Sequence, residues 1–204
     1  KKYSKKQRNM RKVNFLNTLT AKESFSERET IGGTTFVRLD AREREDGMVE
    51  AVECCVPAGE LNEEELKSQY GAWKAKRAKA ALEQAKRQKL GEIAAYDTSD
   101  KVNGFRLNGS VVWLDKATRV GLMNSTNIAK AMGSKTTTLW LGENKLEVDC
   151  DKAIQLLSAL EMYALECFNV TAKHKKEVSE LQSVSEVEKY DITEGYPQML
   201  EMEV

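Results

Sequence analysis

From Asp151 to Leu181 the chain repeats apolar residues at the three-and-four spacing of a single helix face. Ala153, Leu156, Leu157, Leu160, Tyr163, Ala164, Cys167, Phe168, Thr171, His174, Val178 and Leu181 fall on it. A helix of this length with one apolar stripe has to be covered by other elements, so it predicts a packed domain around itself. Asp151 is the expected cap. The lid is expected from two hairpins immediately upstream. "FRLNGSVVWL" carries Asn108-Gly109 at a tight turn, and "TTTLWLGENKLEVD" places two β-rich runs around Gly142-Glu143-Asn144. Between them Asp115 caps a helix through about Met132, which Gly133 terminates. Leu157, Leu160, Phe168, Trp113 and Trp140 are expected to be buried together.

The first half is patterned differently. "TTFVRLDARERE" and "GMVEAVECCV" alternate as strands do, and Asp46-Gly47 between them signals a hairpin. Pro57 and Gly59 close it. Asn62 then caps a helix whose first turn is acidic, and the helical pattern continues to about Leu90 or beyond. Only its beginning, Leu66, Tyr70 and Trp73, resembles core; alanine and basic residues follow. The expected fold class is α+β: a small N-terminal β-hairpin module, a long connecting helix, and a C-terminal module of two β-hairpins packed on two helices. The boundaries read as 1–60 for the basic tail plus hairpin module, 61–95 for the long charged helix and 96–204 for the α+β domain.

The histidine count narrows the chemistry. Among 204 residues there is one histidine, His174, and four cysteines. Cys167 and His174 share a helix seven residues apart, about 10 Å along its axis, which exceeds the reach of a nucleophile and its base. They are therefore read as packing residues. Cys54 and Cys55 are adjacent while Cys150 and Cys167 are distant, a pattern without disulfide or metal spacing. "TIGGTTF" lacks the lysine and spacing of a phosphate loop. No catalytic residue, metal or cofactor is expected, and the chain is read as no enzyme.

Charge suggests surfaces instead. The formal net charge is zero, from 32 basic and 32 acidic residues, yet the two signs are segregated. Residues 1 to 12 hold seven basic side chains and no acid, and "KAKRAKAALEQAKRQK" offers one acid, whereas the sequence after Glu177 is predominantly acidic. The candidate partner-binding residues are Lys5, Lys6, Arg8 and Arg11 in the tail and Trp73, Lys76, Arg77, Lys86 and Arg87 on the long helix. No apolar run approaches the roughly 18 residues of a membrane span, and the start lacks the apolar stretch of a signal peptide.

The second half also carries a resemblance. Phe105 and Gly109 in the first hairpin, Asp115 and Arg119 at the next helix, Trp140 with Leu141, His174, and the closing Tyr190, Asp191, Tyr196 and Pro197 are its motif elements. Over roughly 92–198 the chain resembles a domain-of-unknown-function family of phage and prophage genes, often beside or within tail-fibre and tail-fibre-assembly proteins. The wording is similar to versions in gut Bacteroidetes and their phages. The resemblance implies a non-enzymatic tail component or assembly accessory that binds other tail or fibre proteins, with a homo-oligomer among its forms. Its setting would be the virion or the host cytoplasm during assembly. The alternative is a nucleic-acid binder using the basic tail and helix, against which the neutral total charge stands.

Overall fold

The computed structural model describes residues 10–203. The chain folds into two compact units, Lys1–Ala80 and Ala81–Val204. The fold is mixed α+β, as the sequence predicts.

In the first unit the expected hairpin is β3 (Thr34–Glu43) and β4 (Met48–Pro57), with Gly47 at φ 76° in its turn. Two further strands extend it. β1 (Phe15–Ala21) pairs antiparallel with β4, and β2 (Arg28–Ile31) pairs antiparallel with β3, giving the order β1-β4-β3-β2. Gly32 and Gly33, both left-handed, form the β2–β3 turn, so the glycines of "TIGGTTF" serve a hairpin. Helix α1 (Glu63–Asp97) starts where predicted: the Asn62 side chain accepts from the backbone of Glu64 and Glu65. Its first turns cover the core of Met10, Val13, Phe15, Val37, Cys54, Val56 and Leu66. From Gly71 to Glu92 no residue of α1 is buried, because the apolar residues there are chiefly alanines.

The second unit begins within α1 and continues through α2 (Asp100–Asn103), β5 (Gly104–Leu107), β6 (Ser110–Trp113) and α3 (Lys116–Ala131). β7 (Thr136–Leu141), β8 (Asn144–Asp149), α4 (Cys150–Glu180), α5 (Val184–Lys189) and β9 (Leu200–Met202) complete it. Both expected hairpins form, and β9 adds a parallel strand to β5. Asn108 and Gly109 supply the two positive φ values, 48° and 81°, that the β5–β6 turn requires. Asp115 accepts from Thr118 N at 2.8 Å, and Gly133 follows the end of α3 at φ 87°. Inward residues of both hairpins, Phe105, Leu107, Val112, Leu139 and Leu141, close over Ala153, Leu157, Leu160 and Cys167 of α4.

Two expectations are corrected. Asp151 does not cap α4; the helix starts at Cys150 with Asp149 before it, and Asp151 lies in the first turn, paired with Lys130. Leu157 and Leu160 are buried, but Trp113, Trp140 and Phe168 are 41%, 57% and 63% exposed. Period two explains the tryptophans: Val112 on one side of Trp113, and Leu139 and Leu141 around Trp140, take the inward positions. On α4, Cys167 occupies the inward direction, and Phe168, about 100° further round, points outward.

Candidate partner-binding surface

Trp73 organises the exposed side of the first unit. One turn of α1 places Tyr70 and Trp73 in contact, ring centroids 5.7 Å apart, and Phe15 of β1 meets both at 5.3 and 5.6 Å. The indole is half-buried. One turn onward, Arg77 lays its guanidinium over the Trp73 ring at 4.7 Å and donates to Asn17 Oδ1 at 3.2 Å. Lys74 donates to Asp40 at 2.6 Å, and Tyr70 donates to the same carboxylate at 2.9 Å. These bonds, that from Lys74 foremost, hold Asp40 below the usual carboxylate range. Burial and the Asp40 carboxylate push Tyr70 up to about 12.

Trp73 stands between two open clefts. One, about 290 Å³, is lined by Asp40, Arg42, Tyr70, Lys74 and Arg77 among others. The other, about 650 Å³, is lined by Lys12, Phe15, Leu16, Gln69 and Lys76. Of the sequence-predicted residues, Trp73, Lys76 and Arg77 therefore come together. Arg11 is exposed and lies 3.9 Å from Glu60. Lys5, Lys6 and Arg8 lie outside the described residues. Lys86 and Arg87 belong to the second unit, where Lys86 Nζ donates to Ser179 O at 2.6 Å and Arg87 is exposed. Lys12, Lys74 and Asp40 are the charged lining residues beside Trp73, together with Arg42 and Glu50, that sequence reasoning missed. Lys12 and Lys74 sit in the basic runs already noted, whereas Asp40 reaches α1 only through a β-bulge that no local pattern announces.

The second unit presents a different surface. Trp113, Leu165 and Phe168 line an open groove of about 470 Å³ with Asp97, Asn103, Arg119 and Glu161 at its polar side. Arg119 is buried, bonded to Glu161 at 2.9 Å and to Leu114 O at 2.7 Å, so the groove has a fixed ionic wall beside an exposed apolar one. Elsewhere Cys167 Sγ donates to Val102 O at 2.8 Å, while His174 contacts Tyr190 Oη at 2.7 Å and Glu194 O at 2.9 Å. The two residues thus serve separate hydrogen-bond groups. Among the described residues no helix is long and apolar enough to cross a membrane.

These features define an α+β protein with a half-buried aromatic cluster around Trp73 in the first unit and exposed Trp113 and Phe168 along a groove of the second. Residues 84–194, more than half of the chain, match a family described as a domain of unknown function (DUF4376), and the chain belongs to that family. No curated protein and no solved structure matches the chain.

Proposed function

We propose that this chain is a non-enzymatic binding protein and, more specifically, a phage tail-associated component or tail-fibre assembly accessory. The observation that carries the binding reading is the solvent exposure of Trp113, Leu165 and Phe168 along one groove. Large apolar side chains grouped on a surface mark contact sites for other proteins, since each costs free energy while it faces water. The hydrogen bonds that fix Cys167 and His174 in separate structural roles support the same conclusion. The tail setting rests on the sequence resemblance over 92–198. Mass spectrometry of purified particles and of infected-cell lysate tests it: a stoichiometric band in the particle supports a structural component, presence in lysate alone supports an assembly factor, and absence from both refutes the tail setting. The charge-reversal variant at Lys76, Arg77, Lys86 and Arg87 is expected to incorporate less well, most visibly at low salt.

A second reading has its own observation. Residues 1–80 contain 17 basic and 13 acidic residues, Arg77 lies over the Trp73 ring, and Lys74 and Lys76 line the two clefts beside it. A salt-dependent mobility shift with nonspecific DNA, lost on the same charge reversal, would favour nucleic-acid binding through the first unit.

A further inference from the structure

The exposed face of α4 has a symmetry of its own. Ser158, Met162, Leu165, Phe168 and Ala172 are all exposed and follow one another at intervals of four, three, three and four residues, the same read in either direction. In size they run small, large, leucine, large, small. At about 100° per residue they form a stripe roughly 120° wide centred on Leu165, with Glu161 and Asn169 also within it, and the buried Leu160 and Cys167 face away from it. Such a pattern is complementary to itself reversed.

We propose that this stripe is an isologous interface through which two copies of the chain pair α4 against α4, antiparallel, about a two-fold axis at Leu165. A two-fold axis at Leu165 sets each residue level with the partner's residue equally far on the other side of Leu165, and the palindromic spacing makes both members of each such pair stripe residues. Ser158 is level with the partner's Ala172, so small residues oppose each other where the helices come closest. Met162 is level with the partner's Phe168 but on the opposite flank, so the bulky side chains interdigitate instead of colliding. The flank taken by the partner's Phe168 is the one that carries Glu161 and Arg119, so this ring enters the groove walled by Trp113, Leu165 and the Arg119–Glu161 pair. Charge agrees with the antiparallel sense. Asp151, which also pairs with Lys130, lies on one flank of the face, and the partner's Lys176, an i,i+4 partner of Glu180, lies on that flank within about 5 Å along the axis. A parallel arrangement would instead set Lys173 and Lys176 of both copies side by side.

This inference is independent of any tail setting, because it concerns only the chain with itself. Sedimentation velocity of the full chain over a concentration series reads the monomer–dimer equilibrium directly. Leu165→Glu and Phe168→Glu are expected to raise the dissociation constant by about thirtyfold or more, with unchanged circular dichroism, as for central interface residues. Ile31→Glu, at an exposed apolar position of the first unit outside both clefts, is expected to leave it unchanged. In a Cys55→Ser background, oxidation should cross-link a Ser158→Cys chain to an Ala172→Cys chain and should leave Ser158→Cys alone uncross-linked. A chain that is monomeric at every concentration, a dimer that survives Leu165→Glu, or a Ser158→Cys chain that cross-links to itself overturns the proposal.

Discussion

Two donors converge on the backbone carbonyl of Val102, Tyr163 Oη at 2.9 Å and Cys167 Sγ at 2.8 Å. A carbonyl oxygen has two lone pairs, so each donor partly insures the other against leaving a buried acceptor unpaired. Tyr163→Phe is expected to cost about 1 kcal/mol, and the double change with Cys167→Ala more than the sum of the single ones, because only the double variant strands the acceptor. A urea-denaturation double-mutant cycle checks this. Buried thiols also set an alkaline limit. Burial, followed by Cys55 and Glu53, pushes Cys54 up to about 11 from an ordinary 9.0, and burial likewise raises Cys167. Above pH 9 the unfolded chain loses these protons while the folded chain keeps them. Stability is therefore complete below that pH and falls as pH rises toward 11, which urea midpoints between pH 8 and 11 would register. Phe168→Ala, which a buried position would make costly, is expected to change stability by less than about 1 kcal/mol. The periodicity that located α4 could not distinguish Phe168 from Cys167, since neighbours in sequence straddle the edge of any apolar stripe.

At the scale of elements, boundaries set by local chemistry were legible and those set by tertiary pairing were not. Asp46-Gly47 and Asn108-Gly109 mark their turns, because few other pairs adopt the required backbone. Asn62 and Asp115 mark helix starts because their side chains satisfy backbone N–H groups that the helix leaves open. β1 gave no such sign: Leu16 and Leu19, three residues apart and so on opposite faces, are both exposed and only Phe15 is buried, so the strand carries no period-two pattern. Asp115→Ala leaves the backbone N–H of Thr118 without its cap and is expected to lower the denaturation midpoint. Within one chain Asp151→Ala removes an exposed ion pair with Lys130 and should shift the denaturation midpoint of the monomer little. Gly104 joins α2 to β5 so tightly that a Cβ would lie 2.0 Å from Asp100 O. Gly104→Ala must displace backbone, and a loss of about 1–3 kcal/mol is expected in the same assay.

For the whole molecule, each unit owns a core: Val56, Cys54 and Leu66 in the first, Phe105, Leu157 and Leu160 in the second. Val56→Ala and Leu157→Ala are each expected to speed hydrogen exchange chiefly within their own unit, a difference that peptide-resolved exchange would map. Charge divides along the same line, with 17 basic and 13 acidic residues in 1–80 against 15 and 19 in 81–204. The candidate surfaces were only partly legible for a related reason. Composition reveals a basic run, but whether Lys74 meets Asp40 or open water depends on how a strand bends. That bend has a mechanical consequence. Asp40 and Ala41 stand opposite the single residue Ala51, with Asp40 at φ 52°, and the carboxylate there engages both Tyr70 and Lys74 of α1. A slip of β3 by two residues would keep every side chain on its proper face, so the pleat alone could not forbid it. It would, however, carry the carboxylate about 7 Å away from α1. The extra residue thus works as an indexing pin, giving a sheet whose alternation would tolerate several alignments only one that the helix can latch.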